Sequence, residues 1–413
     1  LRRQVNIVAA ELIDMGVQPG DRVLVGMEKR FELVIAFLAI ARAGAVSVPF
    51  NFKGSTEEQT DTIQLTEPVA GCFHSDLIPF MEKSLGKLQR IVLDSGKWSK
   101  RLQTAAQNSA SDLTGEWPEI KPDTIAYLNM TSGSTGKPKA ASASHRQLFA
   151  NTLACVQKLK LTEDDVHLPL FAVMSHPHEI FCRALFTAAT IVLVEKLYPR
   201  TISEAISAHK VTCMMAVSAV YNLLLPFLDS KKYDFSTLRI PESGGMPTPP
   251  AVVNRYRDNI GVPVVSVWGS TETMGVAFAS SLDGTTPSDS VGTALPGYQV
   301  RIVDKDENPL TEGEVGEMQI RGIGVMSGYW QDPDNTSRAF SGEFYKTGDL
   351  FELDANGNYF FRGRMDAMIK AGGVKIYPAE IEAAIFAHPL VREAVVVPFD
   401  DRLRGLVPMA VIV

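Results

Sequence analysis

Helix-like and strand-like apolar patterns alternate along most of this chain, and that alternation limits its fold more than any other feature. Val5–Met15 has helical spacing, and Arg22–Gly26 is typical of a buried strand. Phe31–Ala43 is helical again, and Val46–Pro49 is strand-like. The alternation recurs further along, at Gln147–Leu159, Ala189–Val194, Ile202–Ala208, Val211–Ala216 and Val262–Val267. Short apolar strands separated by helices predict an α/β fold with mixed, mostly parallel sheets flanked by helices.

The pattern changes near Tyr298, where short strands separated by turns replace the alternation. We expect residues 1–365 to form a large domain, with α/β subdomains over residues 1–297 and a small antiparallel β unit over residues 298–365. Residues 366–413 are expected to begin a small α+β C-terminal domain that looks truncated. The chain has 413 residues, 45% of them hydrophobic, which is enough to fill the cores of two or three such units.

Composition excludes several classes of function. The formal net charge of −7 argues against nucleic-acid binding, which needs a positive surface. The longest apolar run, Leu33–Ala41, is about half the length that a membrane-spanning helix needs, and no signal peptide precedes it. The four cysteines are far apart and lack metal-site spacing, so we expect free thiols in a reducing cytoplasm, at Cys72, Cys155, Cys182 and Cys213.

The segment Thr131–Lys139, T-S-G-S-T-G-K-P-K, is the first candidate binding site. Small hydroxyl residues and glycines let backbone N–H groups approach an anion closely, and lysines add positive charge, so the segment is typical of a polyphosphate loop. It is not a Walker A loop, because Gly133 and Gly136 are three residues apart and Lys137 is followed by Pro138. A solvated hairpin loop without a ligand is the structural alternative.

Four further polar segments follow in order: E-S-G-G-M-P at Glu242–Pro247, W-G-S-T-E-T at Trp268–Thr273, Y-K-T-G-D-L at Tyr345–Leu350, and a glycine- and lysine-rich run at Arg362–Glu382. The W-G-S-T-E-T segment is expected to be a loop at the carboxyl end of a strand, where ligands bind in open α/β sheets. There Trp268 offers a flat face for a base, Thr271 a hydroxyl for a phosphate, and Glu272 a hard oxygen for Mg²⁺. Taken alone, each segment is explained equally well as an ordinary turn or a charged hairpin.

The five segments, in this order, resemble the signature series of the adenylate-forming enzymes. That superfamily includes acyl-CoA synthetases, the adenylation domains of peptide synthetases and beetle luciferase, and the likeness is greatest to fatty acyl-CoA ligases. It covers essentially the whole chain. It implies ATP, Mg²⁺ and CoA as cofactors, and a carboxylic acid as substrate. The acid would first become an acyl-adenylate with release of pyrophosphate, and then a CoA thioester.

The resemblance also implies roles for individual residues. Thr131, Lys139, Thr271 and Glu272 are expected to act in catalysis, with Glu272 as the Mg²⁺ ligand. Trp268 stands where the family usually has a tyrosine that stacks on adenine. The expected cofactor-binding residues are Ser132, Gly133, Ser134, Thr135, Gly136, Lys137, Gly244, Gly245, Met246, Trp268, Gly269, Ser270, Asp349, Arg364, Gly372 and Gly373.

The acid pocket is expected to include His176, His178, Met274 and Gly275. The family usually has a histidine or an aromatic residue soon after an L-P-L-F-like strand, but Ala172 follows that strand here. One of the two later histidines is therefore the candidate gate, and an ordinary polar histidine is the alternative. The substrate is expected to be a fatty or other apolar acid. The expected hinge between the domains is formed by Asp366 and Lys370.

Two other functions stay open. An adenylation domain that loads a phosphopantetheinyl carrier protein would have the same motifs, and so would a relative that binds nucleotide without catalysis. No lysine of this chain matches the family's C-terminal adenylation lysine, and only the 47 residues Ala367–Val413 follow Asp366. A chain that ends at Val413 is therefore expected to adenylate weakly. The sequence gives no indication of the oligomeric state.

Overall fold

The computed structural model describes residues 1–107, 117–131, 138–174, 176–230, 232–371, 374–386, 388, 391, 394–401 and 405–413. Within them the chain alternates between helices and strands over its first three hundred residues and then becomes mostly antiparallel β structure. The α/β fold class expected from the sequence is confirmed. The domain boundary at Met365–Asp366 stays a prediction.

The first sheet has six strands: β1 Arg22–Gly26, β2 Val46–Pro49, β3 Ala70–Phe73, β4 Gln89–Val92, β5 Ile125–Thr131 and β6 Lys139–Ser144. Their order is β4-β3-β1-β2-β5-β6, and only β6 is antiparallel to its neighbour. β2 and β3 are buried along their whole length, as parallel strands covered on both faces should be. The helices between and around the strands of this sheet are α1 Arg2–Asp14, α2 Phe31–Arg42, α3 Thr56–Thr66, α4 Ile78–Leu85 and α5 Gly96–Gln107.

The second sheet has seven strands: β7 Val166–Pro169, β8 Thr190–Ile191, β9 Cys213–Val217, β10 Ile240–Gly244, β11 Val265–Ser270, β12 Gly275–Ala279 and β13 Thr293–Ala294. The order is β13-β12-β11-β10-β9-β7-β8, parallel from β8 to β11 and antiparallel at β12 and β13. Its helices are α6 His145–Leu159, α7 Cys182–Thr187, α8 Pro199–His209, α9 Ser218–Asp229 and α10 Pro250–Ile260, with 3₁₀ turns at Pro177–Ile180 and Thr271–Thr273.

A third, antiparallel sheet contains β14 Tyr298–Val303, β15 Val315–Gly322, β16 Phe340–Ser341, β17 Phe344–Leu353 and β18 Tyr359–Arg364, with helix α11 at Pro333–Ala339. Beyond it lie β19 Ile369–Ala371, β20 Val374–Ile376, α12 Pro378–Phe386, β21 Ala394–Asp401 and β22 Gly405–Ile412. One apolar cluster joins the second and third sheets through side chains such as Val267, Phe278, Met318 and Phe351. The edges of these two sheets are therefore held in fixed positions relative to each other.

The W-G-S-T-E-T segment, which was expected to be a loop, and the Y-K-T-G-D-L segment both contain strand residues. The strand before the W-G-S-T-E-T motif continues to Ser270, and the Y-K-T-G-D-L motif lies inside β17. Both strands have one face against the apolar cluster between the sheets, because Phe278 and Phe351 lie within 6 Å of the Trp268 ring centroid.

Among the described residues, no helix has both the length and the apolar character needed to cross a bilayer.

Candidate active site

The T-S-G-S-T-G-K-P-K segment is the connection of a β-hairpin. Thr131 ends β5 and Lys139 begins β6, and the two residues are paired across the strands. Because β5 is parallel to β2, Thr131 lies at the carboxyl edge of the first sheet, where ligands of open α/β sheets bind. The predicted phosphate-binding residues inside it, Ser132, Gly133, Ser134, Thr135, Gly136 and Lys137, lie outside the described residues.

The segment Gly328–Trp330 lies along β6 and connects it to the rest of the site. The Ser142 backbone N–H donates to the carbonyl of Gly328 at 3.1 Å, and that of Trp330 donates to the carbonyl of Ala140 at 2.7 Å. The Lys139 Nζ atom lies 5.2 Å from the centroid of the Tyr329 ring, in cation–π geometry. The end of the hairpin connection is therefore held next to the Tyr329 side chain.

Tyr329 also fixes the carboxylate of Glu272. Its hydroxyl donates to Glu272 Oε1 at 2.9 Å, and the Glu272 carbonyl accepts from the Met326 backbone N–H at 2.7 Å. Burial and the neighbouring Glu272 carboxylate raise the pKa of Tyr329, so its hydroxyl stays protonated and donates. Carboxylate oxygens are typical Mg²⁺ ligands, so the donor chemistry at Glu272, near the predicted phosphate connection, fits such an ion.

The 3₁₀ turn that carries Glu272 has reciprocal capping hydrogen bonds. The Ser270 side chain accepts from the Thr273 backbone N–H at 3.3 Å, and the Thr273 hydroxyl accepts from the Ser270 backbone N–H at 2.8 Å. Thr271 and Glu272 lie between these two residues. Both predicted catalytic residues of the motif are therefore held by a fixed backbone at the end of β11.

Trp268, Asp349 and Arg364 come together between the second and third sheets. The Trp268 indole N–H donates to Asp349 Oδ2 at 2.9 Å, and Arg364 Nη1 donates to Asp349 Oδ1 at 2.6 Å. Asp349 is 6% exposed, and burial raises the pKa of its carboxyl despite the Arg364 guanidinium. We call these three residues the tryptophan-side cluster. A carboxylate held between two planar donors is suited to accept hydrogen bonds from the hydroxyls of a sugar.

The glycines of the second sheet allow close packing of its strands. A β-carbon at Gly244 would lie 2.7 Å from Val267 Cγ2, and one at Gly269 would overlap the carbonyl oxygen of Gly275. Gly245 has φ +80°, which favours glycine. Met246 follows it and is 69% exposed. Gly244 and Gly269 are thus required for the close packing of β10, β11 and β12 at this end of the second sheet.

The predicted acid-pocket residues lie together. His178 is buried, and its Nδ1 atom lies 3.1 Å from the Tyr127 hydroxyl, while its ring centroid is 6.4 Å from that of His176. Burial lowers the pKa of His178 to about 4, so the ring is neutral at pH 7. Met274 is fully buried in the left-handed conformation at φ 55°, and Gly275 follows it at φ 97°.

A buried ion cluster next to this pocket was not predicted from the sequence. Arg183 donates through Nη2 to Glu179 Oε1 and through Nη1 to Glu242 Oε2, both at 2.7 Å. All three side chains are at most 3% exposed. Glu179 also accepts from the Val276 backbone N–H at 3.2 Å. We call Glu179, Arg183 and Glu242 the acid-side cluster.

The two carboxyls of the acid-side cluster differ in their pKa. Burial raises the pKa of Glu242, although Arg183 opposes the shift. Burial also acts to raise the pKa of Glu179, but Arg183 holds it below its usual range. A sequence signal for the cluster did exist, since charged residues are rare inside apolar stretches such as Ile180–Leu185.

A neighbouring group, Asp165, His167 and Cys213, brings potential ligand atoms within 4.8 Å of one another. Asp165 already accepts from Arg239 at 2.5 Å and from Thr212 at 2.6 Å. Burial raises the pKa of the Cys213 thiol, which disfavours the thiolate that a metal needs. The group is therefore better explained as the surroundings of a structural ion pair than as a metal site.

The predicted hinge lies at the end of the third sheet. Asp366 is exposed, and its Oδ1 atom is 3.5 Å from Arg364 Nε. Lys370 lies in β19, where it pairs with Lys375. The two glycines predicted to line the thiol route, Gly372 and Gly373, lie outside the described residues.

Comparison with known proteins identifies relatives of the whole chain. The AMP-binding enzyme family matches residues 1–330, and the AMP-binding enzyme C-terminal domain family matches residues 380–413. The chain is 29% identical to a benzoate–CoA ligase of Thauera aromatica, over 97% of this chain and 77% of that protein.

Solved structures show the same relationship. A crystal structure of the anthranilate CoA ligase AuaEII in complex with anthranoyl-AMP superposes with a TM-score of 0.91 at 25% identity, over 100% of this chain and 80% of the other. The ATP-bound structure of MatB from Rhodopseudomonas palustris gives a TM-score of 0.88 at 29% identity, over 99% and 82% of the two chains.

Proposed function

This chain belongs to the AMP-binding enzyme family, and on that premise we propose that it activates an aromatic carboxylic acid and transfers the acyl group to CoA. Its relatives establish the general class, an AMP-forming acid–CoA ligase that uses ATP, Mg²⁺ and CoA. The structural observation that carries the proposal is the position of Glu272, which Tyr329 holds beside Lys139 at the end of the hairpin connection. This is where the phosphates of ATP would lie.

In the first half-reaction, an oxygen of the substrate carboxylate attacks the α-phosphorus of ATP, and pyrophosphate leaves with the bond electrons. Two anions must approach each other, so the site has to supply positive charge and fixed donors. Lys139 and Thr131, at the ends of the hairpin connection, would hold the departing phosphates, and Thr271 would donate to the α-phosphate. A Mg²⁺ ion bound by Glu272 would neutralise charge on the phosphates.

In the second half-reaction, the sulfur of CoA attacks the carbonyl carbon of the acyl-adenylate, and AMP leaves through its phosphate oxygen. Asp349 would hold the ribose hydroxyls, with Arg364 and Trp268 fixing its carboxylate. Asp366 would act as the hinge between the two half-reactions. The residues predicted to contact nucleotide, Gly244, Gly245, Met246, Gly269 and Ser270, border the same end of the second sheet.

The proposed substrate is an aromatic acid, in place of the fatty or other apolar acid expected from the sequence. The benzoate–CoA ligase and the structure with bound anthranoyl-AMP are similar to this chain along nearly its whole length. An aromatic side chain also lies beside the predicted pocket, because Phe171 Cζ is 3.7 Å from the position that a β-carbon of Gly244 would take, and aromatic rings pack favourably against one another. Burial lowers the pKa of His176 and of His178, so both rings are neutral at pH 7.

An assay of ATP–pyrophosphate exchange tests this function. The substrates are benzoate, phenylacetate, 2-aminobenzoate, hexanoate, palmitate and a mixture of amino acids. We expect an aromatic acid to give the highest rate, and CoA addition to yield the thioester and AMP. A higher rate with an aliphatic acid would contradict the aromatic proposal. Transfer to a phosphopantetheinyl carrier protein but not to CoA would favour the carrier-loading alternative, and ATP binding without exchange would favour a non-catalytic relative.

All four cysteines of the chain are free thiols, and three of them are buried. This supports a reducing compartment, and we propose that the reaction takes place in the cytoplasm.

A further inference from the structure

The acid-side cluster has an imbalance of charge that its packing does not explain. Two carboxylates, Glu179 and Glu242, share the single guanidinium of Arg183, and none of the three side chains is more than 3% exposed. Replacing a buried ion pair with apolar residues of similar size is often neutral or stabilising, so stability alone does not account for charge at this position. Buried ionisable groups next to a cleft are instead common in functional sites.

A small cavity lies against this cluster. Its lining includes Glu179, Arg183 and Glu242, together with His167, Cys213 and Met215 from β7 and β9. Its free space is about what one water molecule needs. The Nε atom of Arg183 and the Nε2 atom of His167 have no hydrogen-bond partner within the part of the chain that the structure describes. The cavity is therefore polar, and a polar occupant would satisfy atoms that are otherwise buried without a partner.

The cavity adjoins the predicted acid pocket. Glu179 follows His178 directly, and its carboxylate lies against Gly275, where a β-carbon would be 2.7 Å from Glu179 Cδ. Glu242 comes two residues before Gly244 on β10. The cluster thus touches the predicted pocket residue Gly275 through Glu179 and shares strand β10 with Gly244 through Glu242.

We propose that the acid-side cluster forms the distal end of the acid pocket and selects an aromatic acid with one hydroxyl substituent. This rests on the proposed function. A hydroxyl both donates and accepts, so it can donate to a carboxylate of the cluster and accept from Arg183 Nε. An amino group donates well but is a poorer acceptor. A second carboxylate on the ring would meet Glu179 and Glu242 and be repelled, and an unsubstituted ring would leave the cavity to water.

The test compares kcat/KM for adenylation of benzoate, the three hydroxybenzoates, the three aminobenzoates and a benzenedicarboxylate. We expect one hydroxybenzoate to exceed benzoate by at least about tenfold, since a lost hydrogen bond to a charged group costs roughly 1.5–3 kcal/mol. Benzoate equal to or better than every hydroxybenzoate would overturn the inference, and this comparison needs only the wild-type protein.

Two variants test whether the preference for a hydroxybenzoate comes from the cavity and the acid-side cluster. Cys213→Val fills the cavity without changing any charge, and Glu242→Gln removes one charge at nearly constant shape. Both are expected to lower the ratio of hydroxybenzoate to benzoate kcat/KM by about fivefold or more. Glu352→Gln is the matched control, because it removes a carboxylate that pairs with Arg362 in the third sheet.

Unchanged ratios in both folded variants would overturn the inference but leave the proposed function standing. Exchange only with aliphatic acids would overturn both. Aromatic acids used without regard to substituents would overturn the inference alone.

Discussion

The tryptophan-side cluster and the acid-side cluster both pair an arginine with a carboxylate, but in different surroundings. In the first, Arg364 pairs with Asp349 while its own side chain is 51% exposed. In the second, Arg183 is 3% exposed and serves two carboxylates. An arginine open to solvent can change partners when a ligand arrives, whereas one enclosed with two carboxylates cannot leave them without exposing unpaired buried charge. The first arrangement suits a site that opens and closes, and the second suits a fixed wall.

The largest expected difference between the clusters is in stability. Arg183→Leu leaves Glu179 and Glu242 buried without their cation, and loss of one partner of a buried pair costs about 3–5 kcal/mol. Arg364→Leu removes a half-exposed partner, for which about 1 kcal/mol or less is expected because water screens the pair. Urea unfolding followed by circular dichroism measures both losses. Equal losses would show that the two clusters do not differ in the way proposed.

Sequence reasoning could propose the parts of the site that are continuous in the chain. The hairpin connection and the 3₁₀ turn at Thr271–Thr273 each lie within a few consecutive residues, so composition alone indicates their chemistry. Two strands of the first sheet, Arg22–Gly26 and Val46–Pro49, were also predicted, since they are short apolar runs that are buried along nearly their whole length. The roles of the individual site residues stay predictions.

The sequence failed where tertiary contacts decide the structure. Tyr345–Leu350 has the composition of a loop but is a strand, because pairing with β15 and packing of Phe351 outweigh its turn-like residues. Arg183 and Glu242 are 59 residues apart, and no local pattern indicates that they meet. The pairing of Tyr329 with Glu272 could not be predicted for the same reason.

The next largest effect tests the tryptophan-side cluster by activity. Asp349→Asn removes the charge that would accept from ribose hydroxyls, and a hydrogen bond to a charged group contributes about 1.5–3 kcal/mol. We expect kcat/KM for ATP to fall by about ten- to a hundredfold in pyrophosphate exchange, while the KM for the acid stays nearly constant.

Glu343→Gln serves as the control for that variant, since it alters an exposed carboxylate that pairs with Arg321 in the same sheet. A loss that affects the acid KM as strongly as the ATP KM would contradict the division of the site into two ends.

Tyr329→Phe is expected to have a smaller effect, at the boundary between the two ends. It removes one hydrogen bond to the Glu272 carboxylate and keeps the ring that contacts Lys139. Because a single hydrogen bond to a charged group is lost, we expect about a tenfold higher Mg²⁺ concentration for half-maximal exchange. Tyr198→Phe, at a position 64% exposed, is the matched control. An unchanged Mg²⁺ requirement would show that Tyr329 does not position Glu272.

The smallest effect concerns pH and only the enclosed end of the site. The pKa of His178 is about 4 in the folded chain and 6.5 for the free side chain, so between these values the unfolded chain binds more protons. Stability must therefore fall as pH decreases from 6.5 towards 4. From pH 6 to pH 5 the contribution is about 1 kcal/mol, because nearly one proton is taken up on unfolding. His178→Asn keeps an acceptor for the Tyr127 hydroxyl and removes the titration, so its unfolding free energy should decline less over this range by about that amount. His209→Asn, at an exposed position, should leave the decline as in the wild type. If His178→Asn and His209→Asn gave the same pH dependence, the neutral buried histidine beside the acid-side cluster would not be the origin of the acid sensitivity.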